Sequence, residues 1–403
     1  MFTHHQGKTL SLLDLTGDLY EQFNIRLAKQ SLQERFNDGA VKFMKSVLSH
    51  LLNKQLTTAG TNDSLSMFNR VRIKDSTRFA LPEQYAVKYQ GYGGATPNSK
   101  SMITIQHEYD LITGKTMDFR LTNGLCNDQS DSRDHTHDIM ENDLFIRDLG
   151  YCTMGYLQKV ADNKAFFLNR VSPQTAVYHV DQPTKAVDLT SCIKKMKRHN
   201  LPYLTYKVLV GSKVKMHCRL VMSLVDDSTY NKRLRKTTKM AKSYGHNVSK
   251  EYKSKARLNM FITNVPEEWI PAEKIKSTYG LRWQIELIFK VWKSQAKISS
   301  IKEMKIHRFE CQLLGKIIWL LINWKIYCWL SRSPNEKPLG IGYSLWKFYK
   351  SAFRLSYKLR DALQSAKKAK DLIDTLKNMN NQLFALEKRI GKPSSFEIAQ
   401  TLT

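Results

Sequence analysis

The chain has 403 residues, of which 42% are hydrophobic, so it is long enough to bury the cores of two or three domains. Its 64 lysine and arginine residues outnumber 36 aspartate and glutamate residues, which gives a formal net charge of +28. This excess predicts a polyanionic partner, with nucleic acid favoured. A membrane surface is disfavoured, because the basic residues are spread along the whole chain and are not gathered beside an amphipathic end.

The cysteines and the N-terminus bear on the compartment. The six cysteines are far apart and form no C-x-x-C pair, which argues against a zinc ribbon and a disulfide framework. They are Cys126, Cys152, Cys192, Cys218, Cys311 and Cys328. The first ten residues, MFTHHQGKTL, lack the apolar run of a signal peptide. We therefore expect a protein of the reducing cytoplasm.

The most apolar segment is LLGKIIWLLINWKIYCWL at 313–330, which Lys316 and Lys325 interrupt. A membrane span needs about 20 residues with few charges, so we predict a buried helix here and no membrane partner. The chain has no G-x-x-x-x-G-K-[ST] loop, and we expect no nucleotide cofactor.

Residues 10–56 predict helices, because apolar positions recur at helical spacing. We expect one helix to run through LAKQSLQERFNDGAVKFMKSVLSHLL, with a polar linker at 57–64. Residues 1–67 thus form a predicted helical N-terminal domain. It is either a plain bundle or a DNA-binding domain, and the charge of the chain favours the second.

Strand patterns begin at residue 68. RVRIKD alternates and places Val71, Ile73 and Asp75 on one face, and NDLFIRD does the same with Asp148. SMITIQHEYD and GKTMDFRLT predict a hairpin that turns near Gly114. A helix at GYLQKVADN and a strand at AFFLNRV follow. The order of these elements predicts a mixed α/β core.

Residues 171–265 combine short strands, such as YLTYKVLV and CRLVMSLV, with a very basic loop. Ten lysines and arginines lie between Asn231 and Arg257, against the single acid Glu251. Such a run is often only a solvated surface. Interleaved Tyr244 and Tyr252 favour phosphate contact instead. The predicted contact residues are Lys232, Arg233, Arg235, Lys236 and Lys239.

A predicted helix at 272–297 contains YGLRWQIELIFKVWK. At about 100° per residue, Tyr279, Arg282, Glu286 and Lys293 lie within an arc of about 60°, and Lys290 joins them. These residues could simply form i,i+4 ion pairs on an amphipathic helix. In a phosphate-cleaving site, the glutamate would instead bind a divalent metal ion, and the other side chains would hold phosphate oxygens.

One carboxylate rarely holds a catalytic metal, and two aspartates at predicted strand ends are the candidate partners. Asp75 and Asp148 could each merely cap a turn. Together with Glu286 they make the three-carboxylate set that two-metal phosphoryl transfer uses. DSRDHTHD at 131–138 is interpreted as an acidic loop and not as a second metal site.

The spacing Y-x2-R-x3-E-x6-K resembles the signature of bacterial insertion-sequence DDE transposases of the IS-four family. The flanking LRWQIE and KVWK, the upstream IKDSTRFALP, and LFIRDLGYCTMGYLQKV with AFFLNRV agree with it. The resemblance runs from about residue 70 to residue 300, in the right order.

The resemblance implies an RNase H-like α/β fold with a β-rich insertion and helical terminal regions. The implied divisions are 1–67, a first part of the catalytic core at 68–170, the insertion at 171–265, the second core part with the glutamate helix at 266–335, and a C-terminal helical region at 336–403. This last region is either a dimer contact or a plain helical cap. Some relatives stack a base on a tryptophan of the insertion, but RLNMFITNV has none, and the nearest is Trp269.

The resemblance also implies a chemistry. Asp75, Asp148 and Glu286 would bind two Mg²⁺ ions, with Mn²⁺ as a substitute. One ion would activate water and later the freed 3′-hydroxyl, and the other would stabilise the leaving oxygen. Tyr279, Arg282 and Lys293 would hold the phosphate near the transposon end and help manage a flipped base.

The implied partners are double-stranded DNA, as terminal repeats and as target, and a second copy of the chain on that DNA. The implied location is the bacterial cytoplasm, at the nucleoid. Two alternatives stay open: an RNase H-like nuclease without joining activity, and a DNA-binding derivative that has lost its chemistry.

Overall fold

The structure is a computed structural model that describes residues 10–53, 65–93, 99–134, 138–212, 214–332 and 343–386. The predicted linker at 57–64 and the end of the predicted C-terminal region lie outside these ranges.

The described residues form nine strands, which we number in chain order. They are β1 Arg70–Ala80, β2 Met102–Asp110, β3 Thr116–Asn123, β4 Asp143–Arg147, β5 Phe166–Val171, β6 Val177–His179, β7 Leu204–Val210, β8 Met216–Leu224 and β9 Leu258–Thr263.

Fourteen α-helices are found in the same ranges. They are α1 Leu12–Phe23, α2 Lys29–Arg35, α3 Asp38–Asn53, α4 Asp128–Asp134, α5 Met154–Asp162, α6 Leu189–Arg198, α7 Asp227–Ser243, α8 Lys250–Lys255, α9 Ala272–Gly280, α10 Trp283–Ser294, α11 Ile306–Arg332, α12 Leu345–Arg354, α13 Ser356–Ala362 and α14 Ala366–Leu383.

All nine strands belong to one sheet, in the order β3-β2-β1-β4-β5-β9-β8-β7-β6. Strand β4 pairs in parallel with β1 and with β5. The four pairs β5–β9, β9–β8, β8–β7 and β7–β6 are antiparallel. The prediction of a mixed α/β fold is therefore confirmed. The first half of β1 is buried on both faces at residues 71–74, which differs from the predicted alternation, since Arg72 and Lys74 are buried along with Val71 and Ile73.

The described residues group into two compact units. The first contains residues 10–53, 75–93, 99–126, 283–332 and 343–386, and the second contains 65–74, 127–134, 138–212 and 214–282. The division falls within β1, between Lys74 and Asp75.

Several predicted elements are confirmed. The hairpin β2–β3 turns where expected, with Gly114 at a φ of 71° and the Asp110 carboxylate accepting from the Thr113 backbone N–H. The long apolar helix is α11. It is the one helix among the described residues that is long and apolar enough to cross a membrane, yet 67% of its most apolar window is buried within the protein.

Four local predictions were wrong, and in three of them a capping side chain is the reason. The single helix expected at the N-terminus is broken into α2 and α3, because Asn37 accepts from the Ala40 N–H and starts a new helix. The basic loop is helical: Asp226 caps α7 and Ser249 caps α8. The acidic loop at 131–138 begins as helix α4, which Asn127 caps through the Ser130 N–H, and residues 135–137 lie outside the described ranges.

The fourth concerns the predicted helix at 272–297, which is two helices. Helix α9 ends at Gly280 and α10 begins at Trp283. Between them, Leu281 and Arg282 donate i→i−3 backbone bonds of 3.1 Å, which tighten the turn. The predicted arc of about 60° for Tyr279, Arg282, Glu286 and Lys293 assumed one continuous helix, so it does not apply across the break.

Candidate active site

The two candidate aspartates occupy equivalent positions on neighbouring parallel strands. In the register of β1 with β4, Lys74 is paired with Arg147, and each aspartate is the next residue of its chain. Asp75 was predicted at a strand end, but it lies in the middle of β1, because the strand continues to Ala80. Its carboxylate accepts from the Ser76 N–H at 2.8 Å. Asp148 follows β4 and begins a 3₁₀ turn. Both side chains are partly exposed, as the predicted metal ligands must be.

The residue before each aspartate is a buried cation that sequence reasoning missed. Lys74 is 1% exposed and forms a 2.6 Å ion pair with fully buried Asp131 of α4. The guanidinium of Arg147 lies 4.2 Å from the ring centre of Tyr156, and its side chain is also inaccessible. The sequence did contain a signal for these buried cations, because each is a lysine or arginine inside a strand of apolar residues. The alternating pattern instead predicted that Lys74 and Arg147 would be exposed.

Tyr279 is directed at Asp148. Its hydroxyl donates a hydrogen bond of 2.9 Å to Asp148 Oδ1. The Tyr279 ring packs against Phe261 of β9 with a centroid distance of 5.2 Å. Burial, and then the Asp148 charge, raise the pKa of Tyr279 well above its usual value, so the phenol stays protonated. Arg282 lies over the same ring, with its guanidinium 5.8 Å from the centroid.

Glu286 and Lys293 belong to α10. Glu286 lies in the first turn, where the helix dipole favours a negative charge, and its side chain is partly exposed. Lys293 Nζ donates to the backbone oxygen of Arg78 in β1 at 2.9 Å, and burial lowers the pKa of Lys293. Lys290 is exposed, with its ammonium 5.5 Å from the Trp346 ring centre.

Beneath α10 lies His107, a residue that sequence reasoning did not single out. Its ring is 5.1 Å from that of Trp292 and 6.3 Å from that of Phe289, both on α10. Burial lowers the pKa of His107 to about 4, so the imidazole is neutral at ordinary pH. His107 therefore belongs to the aromatic packing that supports the glutamate helix.

The basic run divides into two groups. Four of the five predicted contact residues are exposed on α7: Lys232, Arg235, Lys236 and Lys239. The fifth, Arg233, is half-buried and donates to the backbone oxygens of Ala256 and Leu258, each at 2.9 Å, and to the Asn259 side chain. Arg233 thus holds α7 against the start of β9.

Trp269, the tryptophan nearest to the expected base platform, packs against Phe166 with a centroid distance of 5.0 Å.

Within the described ranges, no group of three or more His, Cys, Asp or Glu side chains is close enough to hold a metal ion. The ligand set Asp75, Asp148 and Glu286 therefore stays a prediction. It depends on the strand register and on the chemistry of the donors.

The mixed α/β fold is consistent with a transposase domain of the DDE class. A family model described as a transposase DDE domain matches residues 66–322, which is more than half of the chain. The chain therefore belongs to this family, and the resemblance predicted from the signature is confirmed.

Two relatives illustrate the relationship. The chain is 32% identical over 331 residues to the transposase for insertion sequence element IS231F of Bacillus thuringiensis subsp. israelensis, covering 77% of this chain and 68% of the relative. It is 30% identical over 411 residues to the transposase for insertion sequence element IS1151 of Clostridium perfringens, covering 94% and 85% respectively.

Proposed function

We propose that this chain is the transposase of an insertion sequence, which cuts DNA at the transposon ends and joins the 3′-hydroxyl ends to target DNA by metal-dependent phosphoryl transfer. The observation that carries the proposal is the equivalent position of Asp75 and Asp148 after paired residues of β1 and β4. Family membership and the position of Glu286 in the first turn of α10 support it.

The three carboxylates fit Mg²⁺ by their chemistry, because this ion prefers oxygen ligands and usually takes only one or two carboxylates together with water and substrate phosphate. Asp75, Asp148 and Glu286 are each partly exposed, so substrate and water can reach them. Mg²⁺, or Mn²⁺ in its place, would supply charge neutralisation at the phosphoryl group and activation of the attacking oxygen. The protein's own part is to hold these carboxylates on rigid elements.

The DNA contacts in this proposal are Arg282, exposed Lys290 and the α7 face formed by Lys232, Arg235, Lys236 and Lys239. Arginine suits bidentate phosphate contact. At about 100° per residue, the four α7 residues lie within an arc of about 100°, so one helix side presents four positive charges. This face accounts for the predicted phosphate contact better than a mobile loop would.

A homodimer on DNA is part of the proposal. Helices α12 to α14 are the candidate contacts, since they carry partly exposed aromatic and apolar side chains such as Trp346, Tyr357 and Ile373. We place the activity in the bacterial cytoplasm, at the nucleoid.

The test is cleavage and joining of labelled DNA that carries the element's own ends, with Mg²⁺ and with EDTA. We expect metal-dependent 3′-hydroxyl production followed by joining, both lost in Asp148→Asn. Asp162→Asn is the matched control, because Asp162 is an exposed aspartate that only accepts from Gln158 on α5. Cleavage without joining would identify a nuclease, and tight binding without cleavage would identify a DNA-binding derivative.

A further inference from the structure

We propose that Ser132 of α4 is a positioning residue for Asp148, and that it acts through the short 3₁₀ turn that follows this aspartate. The inference rests on the proposed function, because it takes Asp148 to be a metal ligand. The turn spans Leu149–Tyr151 and belongs to the same compact unit as α4. The observation behind the proposal is a hydrogen bond of 3.0 Å from the Ser132 hydroxyl to the backbone oxygen of Tyr151.

The side chain of Asp148 does not hold this turn. Asp148 occupies the N-cap position, where an aspartate commonly accepts from backbone N–H groups. Within the described part of the chain, however, its side chain makes no capping bond. The turn is closed by the Tyr151 N–H, which donates to the Asp148 backbone oxygen at 3.0 Å. A plain capping role therefore does not account for this aspartate.

Ser132 holds the end of the turn from outside. Its side chain is fully buried, and its hydroxyl shares the Tyr151 oxygen with the Thr153 N–H, which also donates at 3.0 Å. The backbone of Tyr151 thus connects Ser132 to Asp148, because its oxygen accepts from the serine while its N–H donates to the aspartate backbone. A change at Ser132 would therefore reach the backbone of the proposed ligand through a single residue.

Gly150, in the middle of the turn, allows α4 to approach this closely. A Cβ atom at this position would lie 2.9 Å from Asp128 Oδ2 and 3.3 Å from Asp128 Cβ, in the first residue of α4. Carbon atoms in good contact are about 3.5–4.0 Å apart, so an alanine here would displace the Asp128 side chain or the turn. The glycine thus provides the space between the helix and the turn.

Helix α4 is also anchored to the sheet. Asp131, the residue before Ser132, forms the buried ion pair of 2.6 Å with Lys74 of β1. Lys74 is paired in the sheet with Arg147, the residue before Asp148. Consecutive residues of α4 are therefore connected to the backbone on both sides of Asp148, before it through the sheet and after it through the turn.

Such support matters for cation binding. A metal ligand must be held within about 0.5 Å of its productive position by the residues around it. Loss of a residue that orients a metal ligand typically costs about 10- to 100-fold in metal affinity or activity. Because Ser132 acts through the backbone, we expect its effect to lie at the lower end of this range.

The experiment uses the full chain and the variant Ser132→Ala, which removes the hydroxyl but leaves the Tyr151 oxygen its bond from Thr153. Three quantities are measured: Mn²⁺ affinity of the DNA-free protein by electron paramagnetic resonance, the Mg²⁺ concentration that half-saturates cleavage, and the free energy of unfolding without metal. We expect Mn²⁺ affinity to fall about 10-fold, and half-saturation to need about 10-fold more Mg²⁺. Unchanged Mn²⁺ affinity, or slower cleavage with unchanged half-saturation, would overturn the positioning role.

Ser101→Ala is the matched control. Ser101 is also fully buried, and its hydroxyl donates to a tyrosine backbone oxygen, that of Tyr89, at 3.0 Å. This variant should lose stability without losing cation affinity. An equal loss of Mn²⁺ affinity in Ser101→Ala and Ser132→Ala would reduce the effect of Ser132 to general destabilisation and overturn the proposal.

Gly150→Ala tests the same turn by a second route, because it keeps the serine and disturbs the contact with Asp128. It should also weaken Mn²⁺ binding, and normal Mn²⁺ affinity in this variant would contradict the turn as the connection.

Asp148→Asn separates this inference from the proposed function. If it leaves Mn²⁺ binding and cleavage intact, the metal site of the proposed function fails. If it abolishes both while Ser132→Ala and Gly150→Ala bind Mn²⁺ as the parent does, only the positioning role fails.

Discussion

Lys293 Nζ donates a hydrogen bond of 2.9 Å to the backbone oxygen of Arg78, three residues beyond Asp75 in β1. Lys293 and Glu286 belong to the same helix, α10. The bond therefore ties the helix of the proposed glutamate ligand to the strand of the first aspartate, within one unit. This lysine has a structural contact and still has protons for DNA.

We predict that Lys293→Met has two separable effects. The Arg78 carbonyl loses its donor, which should lower the free energy of unfolding by about 1 kcal/mol. If the ammonium also contacts a phosphate, the slope of log Kd against log salt concentration should become shallower by about one. Urea unfolding and salt-dependent DNA binding measure the two quantities.

Lys290→Met is the control, because Lys290 is exposed on the same helix. We expect this variant to change the salt slope without an equal loss of stability. Unaltered unfolding of Lys293→Met would contradict the structural contact.

The sequence predicted those secondary-structure elements around the candidate site that depend on local pattern. Alternation predicted the strands that carry Asp75 and precede Asp148, although β1 continues past Asp75 to Ala80. The hairpin that lies between them in the chain turns at a glycine, as predicted. The family followed from four spaced residues of α9, α10 and the turn between them. These features depend on residues that are close in the chain, so the sequence alone indicates them.

The missed features depend on contacts between distant segments. Lys74 is buried because Asp131, 57 positions later, neutralises it, and nothing near Lys74 in the chain indicates that partner. The break between α9 and α10 was missed because the apolar spacing continues through Leu281, although the i→i−3 bonds of Leu281 and Arg282 tighten the backbone there. The Tyr279 hydrogen bond likewise joins residues 131 positions apart.

The ion pair of Lys74 and Asp131 gives a second prediction. Lys74→Met should destabilise the protein by about 3–5 kcal/mol, because it leaves a carboxylate buried without its counter-charge. Lys74→Met combined with Asp131→Leu should recover most of this loss, since an apolar pair of similar volume is often neutral or stabilising. Urea unfolding of both single variants and the double variant completes the cycle. Additive losses in the double variant would show that the two side chains are not coupled.

Arg233 gives a third prediction, which separates it from its neighbours on α7. Its three hydrogen bonds to Ala256, Leu258 and Asn259 hold α7 against the start of β9. Arg233→Met should lower the free energy of unfolding by about 1–3 kcal/mol, because a charged donor is lost from several acceptors. Arg235→Met, at an exposed position two residues on, should not. Equal unfolding free energies for both variants would remove the structural role of Arg233.

Lys316 in α11 gives a pH-dependent prediction. Burial, and then the charge of Lys297, lower the pKa of Lys316 from 10.5 to about 8. Between these values the unfolded chain binds more protons, so this group makes stability rise with pH from about 8 to about 10.5. Lys316→Met should therefore be more stable than the parent at pH 7 by about 1–2 kcal/mol, and this advantage should fade as pH rises.

The measurement is urea unfolding at several pH values between 7 and 10.5. Other lysines, tyrosines and cysteines titrate in the same range, so the difference between variant and parent is the informative quantity. Lys350→Met, at an exposed position on α12, serves as control and should show no such pH-dependent difference. A constant difference across the range would contradict the lowered pKa.

The last prediction concerns the exposed α7 face of Lys232, Arg235, Lys236 and Lys239. Each phosphate contact adds about 0.9 to the slope of log affinity against log salt concentration. Replacing all four residues by glutamine should therefore flatten this slope by about 3–4 units if all four touch DNA. Because phosphate contacts do not read bases, the loss should be the same for transposon-end DNA and for unrelated DNA.

A control with equal charge is available on α6, which carries four exposed cations of its own: Lys194, Lys195, Lys197 and Arg198. Replacing these four by glutamine removes the same charge from the same unit. If affinity depended only on net charge, both quadruple variants would lose the same slope. A loss confined to the α7 variant would place the DNA backbone along that helix, whereas equal losses would leave α7 as one basic surface among several.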